Sequence, residues 1–323
     1  MNTDSNRLPR ITPQQLRAFD ATARLLSVTR AAQTLHVTQP TVSVQLRELA
    51  DAIGEPLFEK VGRRIRLTQA GEVMQQTSIE LAACWQRLES RLADIHGLVR
   101  GRLRISAVTT AEYFVPDLLG AFAAAHPGVS IELAVENRDR VIDRLRRNVD
   151  DIAVMMLPPE DLPLRRVPFL DNPLVVISSA NHPLAALKAG GKRIPLARLS
   201  KERWLLREAG SGTRMAAEHF FSTAQFTPSI AMSLGSNEAI KHAVNAGLGI
   251  AVLSRLAVMN ELSSIANASM KCARIKRGGL VELNVTGFPI KRQWSVVWQR
   301  DQPLSSAAKR FIEYLQAPDI LRR

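Results

Sequence analysis

Cysteine is almost missing from this chain. Two cysteines in 323 residues, Cys84 and Cys272, make no disulfide framework and point to a reducing compartment. Histidine is sparse as well. His36, His96, His126, His182, His219 and His242 stand apart, with no cysteines or carboxylates at ligand spacing, so neither a structural metal nor a resident cofactor is expected. The first ten residues are polar and lack the apolar core of a signal peptide, and no apolar run reaches the length of a membrane span. The expectation is a cytoplasmic protein with no membrane partner. Nucleotide signatures are missing too. There is no Walker A loop, and Gly210–Met215 fails as a dinucleotide fingerprint because Met215 stands where the third glycine belongs. Ser211 has no evident base partner, which leaves a hydrolase little support. Acidic residues are in deficit: 30 against 43 Lys and Arg give a net charge of +13, which favours a polyanionic partner.

What is present starts at residues 28–47. Ala31, Ala32 and Leu35 lie on one helical face, with Thr29 where an N-cap belongs. After the short break His36-Val37, Thr38 can cap a second helix, which tolerates Pro40 only in its first turn. Val42, Leu46, Leu49 and Ile53 then recur at spacings of four, three and four, one apolar stripe. Two short helices, a tight turn and small alanines make a helix-turn-helix. The face opposite the stripe carries Pro40, Ser43, Val44 and Arg47, with Thr38, Gln39 and Thr41 nearby. Ser43 and Arg47 suit phosphates or base edges, and Val44 suits a thymine methyl. An ordinary packed helical hairpin is the bland alternative. Beyond a stop at Gly54, two short extended runs flank Gly62-Arg63-Arg64. That reads as a β-wing whose tip, Arg63 and Arg64, suits a minor groove.

These segments resemble the LysR-type transcriptional regulators: Gln15-Leu16-Arg17-Ala18-Phe19, Ala31-Ala32, Thr38-Gln39-Pro40-Thr41-Val42-Ser43, Leu57-Phe58-Glu59 and Arg64-Ile65-Arg66-Leu67-Thr68. The resemblance implies an α/β multidomain chain with a winged helix-turn-helix, a long linker helix and an effector-binding domain. It also implies an operator of double-stranded DNA, RNA polymerase as a partner, and dimers assembling to a homotetramer. Val44 departs from the family pattern, in which arginine is frequent at this position.

Residues 72–96 contain no proline or glycine. Met74, Leu81, Leu88 and Ile95 repeat every seven residues, with Trp85 and Leu92 as the second row and Ser78 its polar lapse. This is a coiled-coil seam that would pair two DNA-reading heads. The alternative is an amphipathic helix packed on its own subunit.

The C-terminal half alternates strands and helices: strand around Leu103–Ala107, helix 112–126, strand 130–136, helix 139–149 and strand 152–156, then a proline-rich stretch at 157–163. A second alternation runs from Leu174 to Leu253, and a strand at 294–299 and helix at 305–315 close the chain. The order argues for helix-covered parallel sheets in two lobes, similar to the type 2 periplasmic-binding-protein fold. The expected domains are 1–68 (winged helix-turn-helix), 69–98 (dimer helix) and 99–323 (effector domain). Lobe I would span about 99–163 and 268–323, and lobe II about 164–267. Strand ends deliver polar groups to helix N-termini, where anions are favoured. The candidate effector residues there are Thr109, Thr110, Asn137, Arg138, Ser211, Thr213, Arg214 and Asn237. Capping alone would explain any single one. Arg207–Arg214, Leu234–Lys241 and Gly247–Ser254 further resemble the CbbR branch, regulators of carbon-fixation genes. That implies a reversible small anionic effector, such as a phosphorylated sugar, a phosphoacid or a nucleotide. An enzyme or solute-binding protein built on the C-terminal half is the rival, opposed by the wing and the seam. A non-specific nucleoid-type binder would leave the two-lobed half unexplained.

Overall fold

The computed structural model describes residues 11–62, 64–95, 100–189, 193–267 and 279–317, and divides into two compact units, Met1–Leu88 and Glu89–Arg323. In the first unit, α1 (Pro13–Leu25), α2 (Val28–Leu35) and α3 (Gln39–Ile53) pack together, followed by the hairpin β1 (Phe58–Val61) and β2 (Arg64–Leu67). α1 opens with a reciprocal capping box. The Thr12 hydroxyl accepts from the Gln15 N–H at 3.3 Å, and the Gln15 side chain accepts from the Thr12 N–H at 2.8 Å. Thr38 caps α3, Pro40 sits in its first turn, and Gly54 ends it in the left-handed region at φ 85°. Ala18, Ala21, Ala31 and Ala32 are buried around Val42, small side chains that let the helices cross closely.

Residues Gln69–Ile95 form α4, one continuous helix. It starts against the wing: a Cβ on Gly71 would lie 2.0 Å from the Leu57 carbonyl oxygen, so only glycine fits that approach. Met74 corrects the seam. It is 8% exposed and packs with Phe19, Leu49 and Leu57 in the core of its own unit, and Ser78 is buried too. The helix turns outward only from Leu81. Leu81, Trp85, Leu88 and Leu92 are exposed, Trp85 at 65%. The side chain of Ile95 lies outside the described residues.

The second unit holds two five-stranded sheets. Lobe I orders its strands β4 (Val129–Glu136), β3 (Gly101–Val108), β5 (Ile152–Met155), β12 (Gln293–Gln299), β6 (Leu164–Asp171). Lobe II orders β11 (Leu280–Leu283), β7 (Leu174–Ser179), β10 (Ile250–Ser254), β8 (Arg203–Arg207), β9 (Ser229–Leu234). β3 runs parallel to β4 and β5, and β8 runs parallel to β9 and β10. The antiparallel strands β12 and β6 complete lobe I, while β7 and β11 complete lobe II. Helices α5 (Val115–Ala125), α6 (Arg138–Arg146) and α11 (Ser306–Gln316) accompany lobe I. Helices α7 (Ala185–Ala189), α8 (Gly212–Thr223), α9 (Asn237–Asn245) and α10 (Arg255–Asn267) accompany lobe II.

The lobe boundaries differ from those read in the sequence. The proline-rich stretch at 157–163 stays in lobe I, because β6 returns antiparallel along β12. The chain crosses at Asn172-Pro173 and comes back through 284–292, so β11 belongs to lobe II. The two crossings pair: the Asn172 N–H donates to the Arg292 carbonyl at 2.7 Å, and Leu174 and Ile290 exchange both backbone bonds. Two paired strands make this crossing a hinge rather than a loose linker. The helix expected over 112–126 also opens differently. A 3-10 turn, Thr109–Tyr113, precedes α5, and Pro116 fits in the first turn of α5.

Candidate functional site

The DNA-reading candidates lie on α3 and the wing. Thr38, Gln39, Pro40, Thr41, Val44 and Arg47 are exposed, and Ser43 is half-buried. Val44 is 48% exposed on an otherwise polar face. The Thr38 and Thr41 hydroxyls share a hydrogen bond at 2.8 Å, which holds the first turn of α3. Thr29 is not the cap of α2. Ser27 is, accepting from the Arg30 N–H at 3.3 Å, because the left-handed Leu26 before it ends α1. Thr29 is exposed in the first turn of α2. On the wing, Arg64 is exposed, Arg66 is paired with Glu59 at 2.5 Å, and Arg63 lies outside the described residues.

The second constellation lies between the lobes. Parallel strands deliver their C-termini to one narrow cleft with about 20 Å³ of free interior, lined by Thr109, Thr110, Arg138, Met156, Arg207, Glu208, Ser211, Gly212, Thr213 and Trp294. Arg207, the last residue of β8, is its hub and is 2% exposed. Its Nη1 donates to Asn237 Oδ1 at 2.7 Å and Thr110 Oγ1 at 3.3 Å. Its Nη2 donates to Thr109 Oγ1 at 3.1 Å and Glu208 Oε1 at 2.9 Å, and Nε donates to Glu208 Oε2 at 2.7 Å. One guanidinium thus ties the turn that follows β3 in lobe I to the start of α9 in lobe II.

Three of the sequence candidates, Thr109, Thr110 and Asn237, meet on this arginine. Arg138, Ser211 and Thr213 line the same cleft. Ser211 precedes α8 but makes no side-chain cap bond, so its hydroxyl is not engaged at that helix start. Arg138 holds the Leu157 carbonyl at 3.0 Å through Nη2, while its buried Nε has no partner. The indole Nε1 of Trp294 is likewise buried without a partner. Two candidates do not join. Asn137 is exposed and accepts from the Arg140 N–H at 2.9 Å, an ordinary cap of α6. Arg214 points away from the cleft, to Glu218 at 2.7 Å, the Arg207 carbonyl and Ser233. Its i,i+4 partner on α8 takes it along the helix surface.

Sequence reading missed Arg207, Glu208 and Trp294. A charged residue ending an otherwise apolar strand, Trp204-Leu205-Leu206-Arg207, was the available signal. A second tie joins the lobes beside the cleft. The Tyr113 hydroxyl donates to Glu238 at 2.7 Å, and the buried Lys241 binds Glu238 and Glu261, each at 2.6 Å, 5.0 Å from the Tyr113 ring centre. Burial, reinforced by the bond to Glu238, pushes the Tyr113 phenol well above its usual range. Burial works against the Glu238 charge, but the hydrogen bonds from Lys241 and Tyr113 outweigh it and hold that carboxyl below its usual range. Met156, in the cleft wall, meets the hinge. Asn172 donates to its sulfur at 3.2 Å and accepts from Ser254 at 2.6 Å.

The arrangement is a reading helix with a wing, and a donor-rich cleft between two lobes. Among the described residues no group of three or more His, Cys, Asp or Glu could hold a metal, and no helix is long and apolar enough to cross a membrane. Comparison with known proteins agrees with both halves. The bacterial regulatory helix-turn-helix protein model of the lysR family matches residues 13–72, and the LysR substrate binding domain model matches residues 96–318. The chain is 43% identical over 308 residues to the HTH-type transcriptional activator CmpR of Synechocystis, covering 95% of this chain and 96% of the relative. It is 40% identical over 306 residues to the RuBisCO operon transcriptional regulator of Acidithiobacillus ferrooxidans, covering 95% and 94%. The solved regulatory domain of Synechocystis CcmR, in complex with 2-PG, shares 40% identity at a TM-score of 0.57, over 67% of this chain and 95% of that one. With a family reading head at one end and the family's effector domain filling the rest, the chain belongs to the LysR family of bacterial transcription regulators.

Proposed function

We propose that this regulator controls carbon-fixation genes in response to a small metabolite carrying phosphate and carboxylate groups, bound in the interlobe cleft. The observation that carries the reading is Arg207. A guanidinium buried at the junction of both lobes, ringed by hydroxyls, is the donor set that oxyanions take up. Ser211 and Thr213 add hydroxyls to the same cleft, which Arg138 and Trp294 also line. The likeness to a CcmR regulatory domain bound to 2-PG supports a phosphoacid of that size. Relatives that govern RuBisCO operons support the target.

On the DNA side, Ser43, Val44 and Arg47 read the major groove, and Thr29, Thr38, Gln39, Pro40 and Thr41 position the head on phosphates. Arg63 and Arg64 enter the minor groove. Two copies pair through Leu81, Trp85, Leu88 and Leu92 of α4. Pairs assemble to a tetramer that recruits RNA polymerase. An effector that binds one lobe arrangement better than the other shifts the assembly between two states by that difference in affinity. The link from Met156 through Asn172 to Ser254 gives the cleft wall a contact at the hinge.

The test is calorimetry of the full chain against 2-phosphoglycolate, ribulose bisphosphate, a nucleotide and glycolate. Binding of a phosphate-bearing compound, lost in Thr109→Val, supports the cleft. Silence from a folded protein toward the whole panel overturns the effector assignment.

A further inference from the structure

The five N–H groups of a guanidinium are its whole donor supply, and all five of Arg207 are engaged by protein acceptors. Asn237, Thr110 and Thr109 take three, and the Glu208 carboxylate takes the remaining two as a parallel fork. No incoming anion can therefore reach Arg207 without replacing a partner. Thr109, Thr110 and Asn237 are neutral, and Thr110 and Asn237 are buried. Glu208 differs on both counts. It is anionic, and its side chain is 33% exposed, open enough to swing into water.

We infer that Glu208 sets the affinity threshold of this cleft: it competes with an incoming anion for Arg207, so a ligand is held only when its contacts together exceed those of one tethered carboxylate. This inference rests on the proposed anionic effector and adds the rule by which the site chooses among anions. A monocarboxylate offers Arg207 one oxyanion fork in place of another. Glu208 is tethered one residue away and holds its place at high effective concentration. The exchange is then near neutral, and the displaced Glu208 still repels the newcomer. A phosphate dianion gains more from the same guanidinium. A phosphoacid also has the Ser211 and Thr213 hydroxyls, which line the same cleft, as further donors. The competition costs every anion the same fork, so a monocarboxylate, with no further contacts to offer, falls below useful affinity while a phosphoacid does not.

Glu208→Gln keeps one acceptor for Arg207 and removes the competing charge. The experiment is calorimetry of full-length wild type and Glu208→Gln with 2-phosphoglycolate, inorganic phosphate and glycolate. Glu208→Ala is run in parallel, and thermal melts without ligand establish that each variant folds. The wild type should bind phosphoglycolate and bind glycolate far more weakly. Glu208→Gln should bind glycolate on the order of tenfold more tightly, the scale set by a removed like charge. It should tighten phosphoglycolate at least as much, because the repulsion removed grows with the charge on the ligand. If the wild type binds phosphoglycolate but folded Glu208→Gln and Glu208→Ala bind every anion equally or more weakly, Glu208 is only a brace for Arg207 and the inference falls alone. If neither wild type nor variants bind any of the three, the anionic-effector reading falls with it.

Discussion

Replacing Arg207 with Gln separates the two halves of this protein's job. In the native cleft the guanidinium makes five hydrogen bonds to four residues, and its positive charge answers Glu208. Breaking a buried ion pair from one side costs roughly 3–5 kcal/mol. Glu208 is one-third exposed, so water recovers part of its charge, which places the loss at about 3 kcal/mol. For a domain of this size, where each kcal/mol shifts the midpoint by about 2–4 °C, the melting temperature should fall by roughly 6–12 °C. Thr109, Thr110 and Asn237 would lose their shared partner, leaving the Tyr113–Glu238 and Asn237–Thr110 bonds to join the lobes. The reading head is a compact unit of its own, with a separate core. Arg207→Gln should therefore bind DNA with wild-type affinity while its footprint ignores the effector. Calorimetry, a thermal melt and footprinting of the same preparation check the three parts. A folded variant that still responds to phosphoglycolate as wild type does would show that Arg207 is not the anion receptor.

Other perturbations follow from the same geometry. Leu88→Asp puts a charge on the exposed apolar row of α4 and should dissociate the oligomer in sedimentation, whereas Met74→Asp should unfold the reading head, since Met74 is core. Arg47→Ala should weaken operator binding by about 1–3 kcal/mol if it contacts a base, with little change on random DNA, read by anisotropy at fixed salt. Tyr113→Phe removes the hydroxyl that joins the 3-10 turn to Glu238 and should weaken effector binding severalfold, measured by calorimetry. Because Glu238 titrates below its unfolded value, the stability it contributes is full above the ordinary carboxylate range and is lost as pH falls through its lowered value. Melts from pH 6 down to pH 3 should show a difference between wild type and Glu238→Gln that closes at the acid end.

Local chemistry carried much of this fold into view. Thr38, Pro40 and Gly54 sit where elementary capping rules put them, and the α3 stripe is the buried face. Where two residues satisfy the same rule, the surroundings choose. Ser27 and Thr29 are both cap formers, and the left-handed turn at Leu26 selects Ser27. Met74 shows the limit of periodicity. A heptad looks the same whether it faces a partner or its own domain, and only the approach of Gly71 to Leu57 reveals that the first turns face inward. The lobe boundary was hidden for another reason. β6 is defined by its long-range antiparallel pairing with β12, which leaves no local signature. In the cleft, the helix-start rule found Thr109, Thr110, Ser211, Thr213 and Asn237. It favoured Arg214, whose helical partner Glu218 turns it away, and passed over Arg207 because that arginine looked like the end of a strand.

The most direct test of the account joins its two sites in one measurement. The full chain is titrated onto the DNA upstream of the carboxylase genes of its own genome and onto random DNA of equal length. Each titration is run with and without 2-phosphoglycolate across a salt series. The account predicts a preference for the upstream DNA that persists as salt weakens both complexes. It also predicts a footprint that changes when the phosphoacid is added. Equal affinity for the two DNAs at every salt concentration, or a footprint blind to the whole panel of phosphorylated metabolites, would contradict it.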